Sequence, residues 1–239
     1  MFSEKGKKMK FFNDVIQCFT NPKYFTSVLE GLQLTLVISV GAALVGLFLG
    51  TFVALVKISK SKSKWMLIPR AICNVYITVI RGTPMALQLF IMAFVIFAIR
   101  GFPLEITAIL AFGINSGAYV AENIRAGILS VDIGQTEAGR ALGLPGGVTM
   151  MKIVIPQAIK NVIPAIGNEM IALIKETSIV SMIGMYDLTA AAKDVGSGNN
   201  LASYIAPMTV AALFYLAVVY ALTFAVKKIE RRLRSGDKR

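Results

Sequence analysis

The chain has 239 residues, of which 56% are hydrophobic and 16% are charged, and its formal net charge is +12. A soluble domain carries about 25% charged residues, so this composition indicates a protein that crosses a membrane several times. The basic residues flank apolar segments instead of forming one patch with aromatic residues between them, which argues against nucleic-acid binding.

The sequence contains no histidine, and its only cysteines are Cys18 and Cys73. Almost every metal-site pattern and every histidine-dependent catalytic triad is therefore excluded. We expect no catalytic residue, no metal site and inert apolar packing for both cysteines. The basic N-terminus is not followed by an apolar stretch that ends in a cleavage site, so we expect no cleaved signal peptide.

Five apolar segments are long enough to cross a bilayer, whose hydrocarbon core of about 30 Å requires roughly 20 helical residues. We predict spans over residues 32–56, 71–99, 104–124, 166–188 and 204–226. The second span is interrupted at Arg81, Gly82, Thr83 and Pro84, where a structural helix break is favoured over a role in gating. The sequence therefore predicts an all-α integral membrane protein of one domain, residues 1–239, with about five transmembrane helices.

Basic residues predict the orientation of these spans. Sixteen Lys and Arg residues flank the spans on one side and seven on the other. The positive-inside rule then places the C-terminus in the cytoplasm and the N-terminus outside. The N-terminal segment is itself basic, and Phe11, Phe12, Ile16 and Phe19 give it an apolar face with which it could lie on the membrane surface. On the outer side, residues 190–200 form either a plain polar loop or a surface for another protein.

Polar residues inside the predicted spans suggest a substrate pathway. Asn115, Tyr119 and Glu122 recur at helical spacing and share one face of span three. In span four, a polar cluster lies roughly 15 Å from the inner end, near the midplane of the bilayer, and consists of Lys175, Glu176, Thr177 and Ser178. This cluster could bind a zwitterion, because it offers both a cation and an anion. For any single residue, a structural network between helices is favoured, for example Lys175 with Glu122.

The connection between spans three and four is long and contains the stretch EAGRALGLPGGVTMMKIVIPQA, residues 137–158. It predicts a helix that Thr136 caps and Gly143 ends, then a turn, then a second short helix that ends near Pro156. On these grounds alone, an amphipathic linker on the membrane surface is an equally good interpretation.

This stretch resembles the cytoplasmic loop of permease subunits of ATP-binding-cassette importers. The family pattern is Glu-Ala-Ala, three residues, Gly, nine residues, Ile, one residue, Leu-Pro. The chain has Glu137-Ala138-Gly139, then Gly143, Ile153 and Ile155-Pro156 at the same spacing. It differs only by Gly139 in place of the third Ala and by Ile155 in place of Leu. Segments 79–90, 115–128, 134–143 and 171–181 further resemble the branch that imports polar amino acids such as histidine, arginine, glutamine, glutamate and cystine.

The resemblance implies that residues 134–164 are a coupling loop that docks on a cytoplasmic ATPase subunit. The residues that it assigns to this contact are Glu137, Ala138, Gly139, Leu142, Gly143, Ile153 and Pro156. Glu137 would pair with a cation of the ATPase, while Leu142, Met150 and Met151 would fill an apolar groove. The chain lacks the G-x-x-x-x-G-K-[ST] loop, so ATP and Mg²⁺ belong to the partner and this chain needs no cofactor of its own.

The resemblance also implies the assembly and its place in the cell. The expected partners are two ATPase subunits, a second permease chain (an identical copy or a paralogue), an extracytoplasmic solute-binding protein and a polar amino acid. The expected location is the bacterial cell membrane, with several passes through it. The alternatives are an importer of the same kind for another small polar solute, or an ATP-independent channel or ion-coupled carrier.

Overall fold

The computed structural model describes residues 4–59, 63–197, 201 and 204–235. Across these residues the chain forms helices and short connections, which confirms the all-α class. The interpretation of segment 190–200 as a plain loop is wrong as far as Ser197, because these residues are helical and bury Ala191, Ala192 and Val195; the last three residues lie outside the described part of the chain.

The helices follow one another in this order: α1 (Glu4–Thr20), α2 (Pro22–Ile58), α3 (Leu67–Gly82), α4 (Met85–Ile91), α5 (Leu104–Leu129), α6 (Ile133–Ala141), α7 (Gly146–Thr149), α8 (Ile155–Glu176), α9 (Leu188–Ser197) and α10 (Ile205–Arg234). A 3₁₀ turn, Lys64–Met66, precedes α3, and another, Thr177–Ile183, follows α8. A π turn, Met92–Ile96, extends α4, and a second one, Met150–Val154, joins α7 to α8.

Three of the described helices, α2, α5 and α10, are long and apolar enough to cross a membrane. The segment that begins at Lys64 and contains α3, and the segment that α4 forms with its π turn, pass the same test together, but they are bent by 110° at their junction. The predicted second span is therefore two helical segments, and α2 begins at Pro22, before the predicted Leu32. Helix α8 is not among the helices that pass this test, so the count of five spans stays a prediction.

The chain around Pro156 differs from the expected end of a short helix. Residues 146–176 are helical throughout, because α7, the π turn and α8 follow one another without a break. Pro156 lies in the first turn of α8, next to the π turn. A proline there has no N–H to donate to a preceding carbonyl, and the wider π turn accommodates this loss. The helix that contains the predicted fourth span thus begins at Ile155, well before Ile166.

Helices α2 and α5 run parallel and pack closely through glycines. Gly46 and Gly50 lie on one face of α2, and Gly113 and Gly117 lie on the facing side of α5. A Cβ added at Gly113 would lie 2.6 Å from Cβ of Val45, and one added at Gly50 would lie 2.7 Å from the carbonyl oxygen of Gly117. The two backbones therefore approach each other at a distance that only glycine permits.

Helix α8 runs antiparallel to α5. Gly127 near the end of α5 contacts Val162 in the first half of α8, where an added Cβ would lie 2.3 Å from the Val162 side chain. Toward the other end, Leu173 of α8 is buried in one core with Ala108 and Phe112 of α5. Residues late in α5 therefore lie at the level of residues early in α8.

We expect Gly50→Ala to lower the melting temperature of the purified protein. The new methyl group meets backbone and a β-branched side chain, and such overpacking costs about 1–3 kcal/mol, more than the gain of about 0.5–1 kcal/mol that alanine brings to a helix. Gly41→Ala is the matched control, since the three atoms nearest to an added Cβ there all belong to the Ile109 side chain and none to the backbone. Thermal unfolding in one detergent compares the two variants, and equal melting temperatures would contradict this packing.

Candidate functional site

Helix α6 has well-defined ends. Asp132 caps its start, and a carboxylate oxygen of Asp132 accepts a hydrogen bond from Gly134 N at 2.6 Å. The N-cap of this helix is therefore Asp132 and not Thr136, which the sequence had suggested. At the other end Gly143 has a φ of +76°, a left-handed conformation that favours glycine. Leu144 N donates to Gly139 O and Gly143 N to Arg140 O, which is the Schellman arrangement that ends a helix.

Helix α6 packs on the start of the next helical run through Gly139. This glycine is buried, and a Cβ added to it would lie 2.6 Å from Cγ2 of Thr149 and 3.0 Å from Cδ1 of Ile153. Thr149 is itself buried, and its hydroxyl donates to Pro145 O at 3.2 Å. Residues 132–154, which we call the α6–α7 unit, are therefore held together by a contact that has no room for a larger residue at position 139.

The α6–α7 unit presents an apolar surface to its surroundings. Leu142 is 80% exposed, Ile133 72% and Met151 64%. Of the residues that the family pattern assigns to the ATPase contact, four more are exposed, Glu137, Ala138, Gly143 and Pro156, whereas Gly139 is buried and Ile153 half-buried. The pattern thus combines an exposed set that is free to meet another protein with two residues that hold the unit together.

The α6–α7 unit is joined to the long helices by polar contacts on its other side. Gln157 Nε2 in α8 donates to Gln135 Oε1 in α6 at 3.1 Å. Asn161 Nδ2 in α8 donates to Ser130 Oγ at the end of α5 at 2.8 Å. Together with the contact between Gly127 and Val162, these bonds fix the start of α6 to both α5 and α8. A displacement of α6 would therefore be transmitted to both helices.

Gln88 stabilises the break between α3 and α4 by hydrogen bonds, and the sequence analysis did not predict a role for it. Its Nε2 donates to Ile80 O at 2.8 Å, and it contacts the backbone oxygen and hydroxyl of Thr83 at 3.1 and 2.8 Å. Its Oε1 accepts from Asn115 Nδ2 at 2.9 Å. Gln88 therefore satisfies carbonyls that the interrupted helix leaves open and ties the break to α5.

Polar side chains continue along this face of α5. The guanidinium of Arg81 stacks over the Tyr119 ring, 5.2 Å from its centroid. Glu169 of α8 lies beside the Ser116 hydroxyl and interacts electrostatically with Arg81. We name these residues the polar seam; its members are Arg81, Gln88, Asn115, Ser116, Tyr119 and Glu169. The sequence analysis did not include Glu169 among the pathway residues. An acidic residue within an apolar helix is nevertheless a signal of function that the sequence contains.

Glu122 forms an ion-pair network that adjoins the polar seam, because it also interacts electrostatically with Arg81. Arg125 Nε donates to its carboxylate at 3.0 Å, and Lys57 Nζ of α2 is 3.9 Å away. The suggested pair with Lys175 is wrong, because α5 and α8 are antiparallel and place Glu122 and Lys175 toward opposite ends of the bundle.

The cluster from Lys175 to Ser178 lies where α8 passes into its 3₁₀ extension. Lys175 and Glu176 are exposed, whereas the buried Thr177 hydroxyl donates to Ile174 O at 2.7 Å. The Ser178 hydroxyl donates to Lys175 O at 2.9 Å. Lys175 follows Ile155 by twenty residues, or roughly 30 Å of helix, so the cluster lies at the far end of α8 from the α6–α7 unit.

Comparison with known proteins identifies the family. A family model described as "Binding-protein-dependent transport system inner membrane component" matches residues 46–235. The chain is 43% identical to the arginine transport system permease protein ArtQ of Bacillus subtilis, over 88% of this chain and 94% of that protein. It is 40% identical to the putative glutamine transport system permease protein GlnP of Rickettsia conorii, over 89% and 94%.

The fold of a solved transporter agrees with these relatives. The chain is similar to one in the crystal structure of an amino acid ABC transporter with histidines, with a TM-score of 0.80 and 38% identity. That similarity covers 90% of this chain and 97% of the other. The resemblance to permease subunits of ATP-binding-cassette importers is therefore confirmed, and the chain belongs to the inner membrane components of binding-protein-dependent transport systems.

Proposed function

We propose that the chain is the membrane-spanning permease subunit of an importer for polar amino acids, driven by a separate ATPase. The observation that carries this proposal is the exposed surface of the α6–α7 unit, whose residues have the spacing of a coupling loop and whose base is bonded to α5 and α8. Relatives named for arginine and glutamine transport support the substrate class. An importer for another small polar solute is the second candidate.

The family supports an ATPase and a solute-binding protein as partners, and we propose the numbers of subunits on the same ground. A solute-binding protein delivers the amino acid from outside, and ATP with Mg²⁺ binds to two ATPase subunits in the cytoplasm. A second permease chain, identical or paralogous, completes the pore. We place the α6–α7 unit and the C-terminus in the cytoplasm and the N-terminus outside, on the distribution of basic residues, in a bacterial cell membrane.

Alternating access supplies the mechanism. Partners bias the helical bundle between an outward-open and an inward-open state by binding one state more tightly than the other. The ATPase acts on the exposed residues of α6, and the bonds from Gln157 to Gln135 and from Asn161 to Ser130 transmit this motion to α8 and α5. The polar seam lies between these helices and the α3–α4 break, so we place the amino-acid pathway along it. A self-sufficient channel or carrier would not need this exposed unit.

We expect Glu137→Lys and Gly143→Val each to abolish amino-acid uptake while the protein still inserts in the membrane. The first reverses an exposed charge on the docking surface, and the second forces a β-branched residue into a left-handed conformation. Glu137→Gln is the milder control, since it keeps the shape of the side chain. Uptake of labelled amino acid into cells measures the effect, and wild-type uptake by Glu137→Lys and Gly143→Val would refute docking through this surface.

We expect Gly139→Ala to weaken assembly with the ATPase by roughly five- to 150-fold, because strain of about 1–3 kcal/mol moves α6 away from Thr149. Combining it with Thr149→Ser should restore assembly, since serine lacks the methyl group that the new Cβ would meet. Gly147→Ala is the control, because a Cβ there has no neighbour within 4 Å. Co-purification of the ATPase is the measurement. If the single variant binds as well as the wild type, the contact at Gly139 is not what shapes the docking surface.

We expect the double variant Lys175→Ala with Glu176→Ala to slow uptake or to change the order of preference among amino acids. The pair offers a cation and an anion, the two charges that a zwitterion requires, on an exposed end of α8. Lys64→Ala serves as a control, because this exposed lysine lies in the 3₁₀ turn before α3. Uptake of one labelled amino acid in competition with unlabelled ones measures both the rate and the order of preference. An unchanged rate together with an unchanged preference would remove these residues from the pathway.

A further inference from the structure

A deep groove lies between the α6–α7 unit and the long helices. Its larger part has a volume of about 900 Å³. Apolar side chains of α2, α5 and α8 line it, among them Leu55, Ile128, Ile159 and Ile166, and Met150 and Met151 close one end. An open groove with this lining favours an apolar occupant, because such an occupant removes exposed apolar surface from water.

A second cavity of about 680 Å³ continues the first. The two share five lining residues, Ile58, Ile128, Thr136, Met150 and Val154. They therefore form one groove, which we call the α2–α6 groove. It extends from the membrane-facing side of α2 to the end of α5.

The rim of the α2–α6 groove carries more cations than anions. Arg140 lines the larger cavity, and Lys57 and Arg125 line the smaller one. The acids close to them are Asp132, whose carboxylate caps α6, and Glu122, which pairs with both Lys57 and Arg125. Three cations against two acids leave a net positive rim above an apolar interior. That combination is complementary to a molecule with an anionic head and a hydrocarbon tail.

The groove opens beside an exposed apolar side of α2. A row of exposed apolar residues follows one side of α2 and consists of Val37, Val40, Leu44, Phe48, Phe52 and Leu55. Their helical spacing gives α2 one continuous exposed apolar side, which suits contact with lipid. Leu55, the last of this row, is 64% exposed and also lines the groove, and Ile159 on the opposite wall is 40% exposed. An acyl chain can therefore enter from the bilayer between α2 and α8.

We propose that the α2–α6 groove binds an anionic phospholipid, with an acyl chain in the apolar interior and the phosphate facing Arg140, Lys57 and Arg125. This inference rests on the proposed function, because it requires the α6–α7 unit to lie at the cytoplasmic surface of the membrane. The bound lipid fills the space between α2 and the α6–α7 unit. It thereby makes the transfer of motion from α6 to α2 dependent on the lipid composition.

The test uses the whole transporter, with its ATPase and solute-binding protein, and phosphatidylglycerol as the probe. The complex is purified from membranes of defined composition, and native mass spectrometry counts the phosphatidylglycerol and phosphatidylcholine that it retains. Thr51→Trp narrows the mouth of the groove from α2, and Ile159→Trp narrows it from α8. Leu44→Trp is the control on the same lipid-facing row outside the groove. Arg140→Gln removes a rim charge, and Lys64→Gln removes an exposed cation outside the groove.

We expect the wild type to retain phosphatidylglycerol in preference to phosphatidylcholine. Either tryptophan variant in the groove should abolish this retention, while Leu44→Trp should leave it unchanged. Arg140→Gln should weaken it roughly fivefold, the effect of one basic residue near an anionic membrane surface. Lys64→Gln should have no effect. In nanodiscs, ATPase stimulation by the loaded solute-binding protein should rise with phosphatidylglycerol in the wild type, and this rise should be lost in the groove variants.

Three results would overturn the proposal. The first is equal retention of both phospholipids by the wild type, and the second is unchanged phosphatidylglycerol in both groove variants. The third is a disulfide between two Thr51→Cys permease chains in the assembled transporter, which would make the groove an interface between chains. If one of these results is obtained while Glu137→Lys still blocks uptake, the lipid site fails and the transport function stands.

Discussion

The close contact between α2 and α5 is the constraint on which the rest of the bundle depends. Helices in a membrane gain little from the hydrophobic effect when they associate, so packing and polar contacts must hold them together. Four glycines bring these two helices to backbone contact, and Val45 and Val120 fill the space beside them. This packing sets the direction of α5, and α5 in turn carries three members of the polar seam, Asn115, Ser116 and Tyr119, and leads into the α6–α7 unit.

The α6–α7 unit has two sides with different surroundings. Its outer side exposes Glu137, Ala138 and Leu142, and the Leu142 side chain is 80% exposed, an apolar group that is costly in water unless a partner covers it. Its inner side is fixed to α5 and α8 by hydrogen bonds and by the contact of Gly139 with Thr149. A rigid unit of this kind transmits a displacement, whereas a flexible linker would absorb it. The linker interpretation, which the sequence left open, is therefore the weaker one on structural grounds.

Much of the architecture was accessible from the sequence, because the signals were local. Apolar length located α2, α5 and α10, and Gly143 was correctly placed at the end of α6 by its freedom to adopt a positive φ. Fixed spacing within 20 residues identified the family. These features depend on neighbours in the chain or on composition, both of which a single sequence contains.

Other features depended on contacts between distant elements. The start of α8 was misplaced because Pro156 looked like a helix end, and only the π turn beside it shows how the helix continues. The pairing of Lys175 with Glu122 failed because the relative direction of two helices decides which residues meet. Gln88 escaped notice since its role is to bond the broken end of α3 and Asn115, which lies 27 positions away.

The central claim is that the outer side of the α6–α7 unit receives the force of an ATPase. Disulfide cross-linking of Leu142→Cys to the ATPase in the assembled transporter tests it most directly. The native Cys18 and Cys73 are buried and give little background. We predict a cross-link whose yield changes between the nucleotide-free and the ATP-bound complex. Absence of any cross-link, together with labelling of Leu142→Cys by a membrane-impermeant reagent in intact cells, would contradict the account.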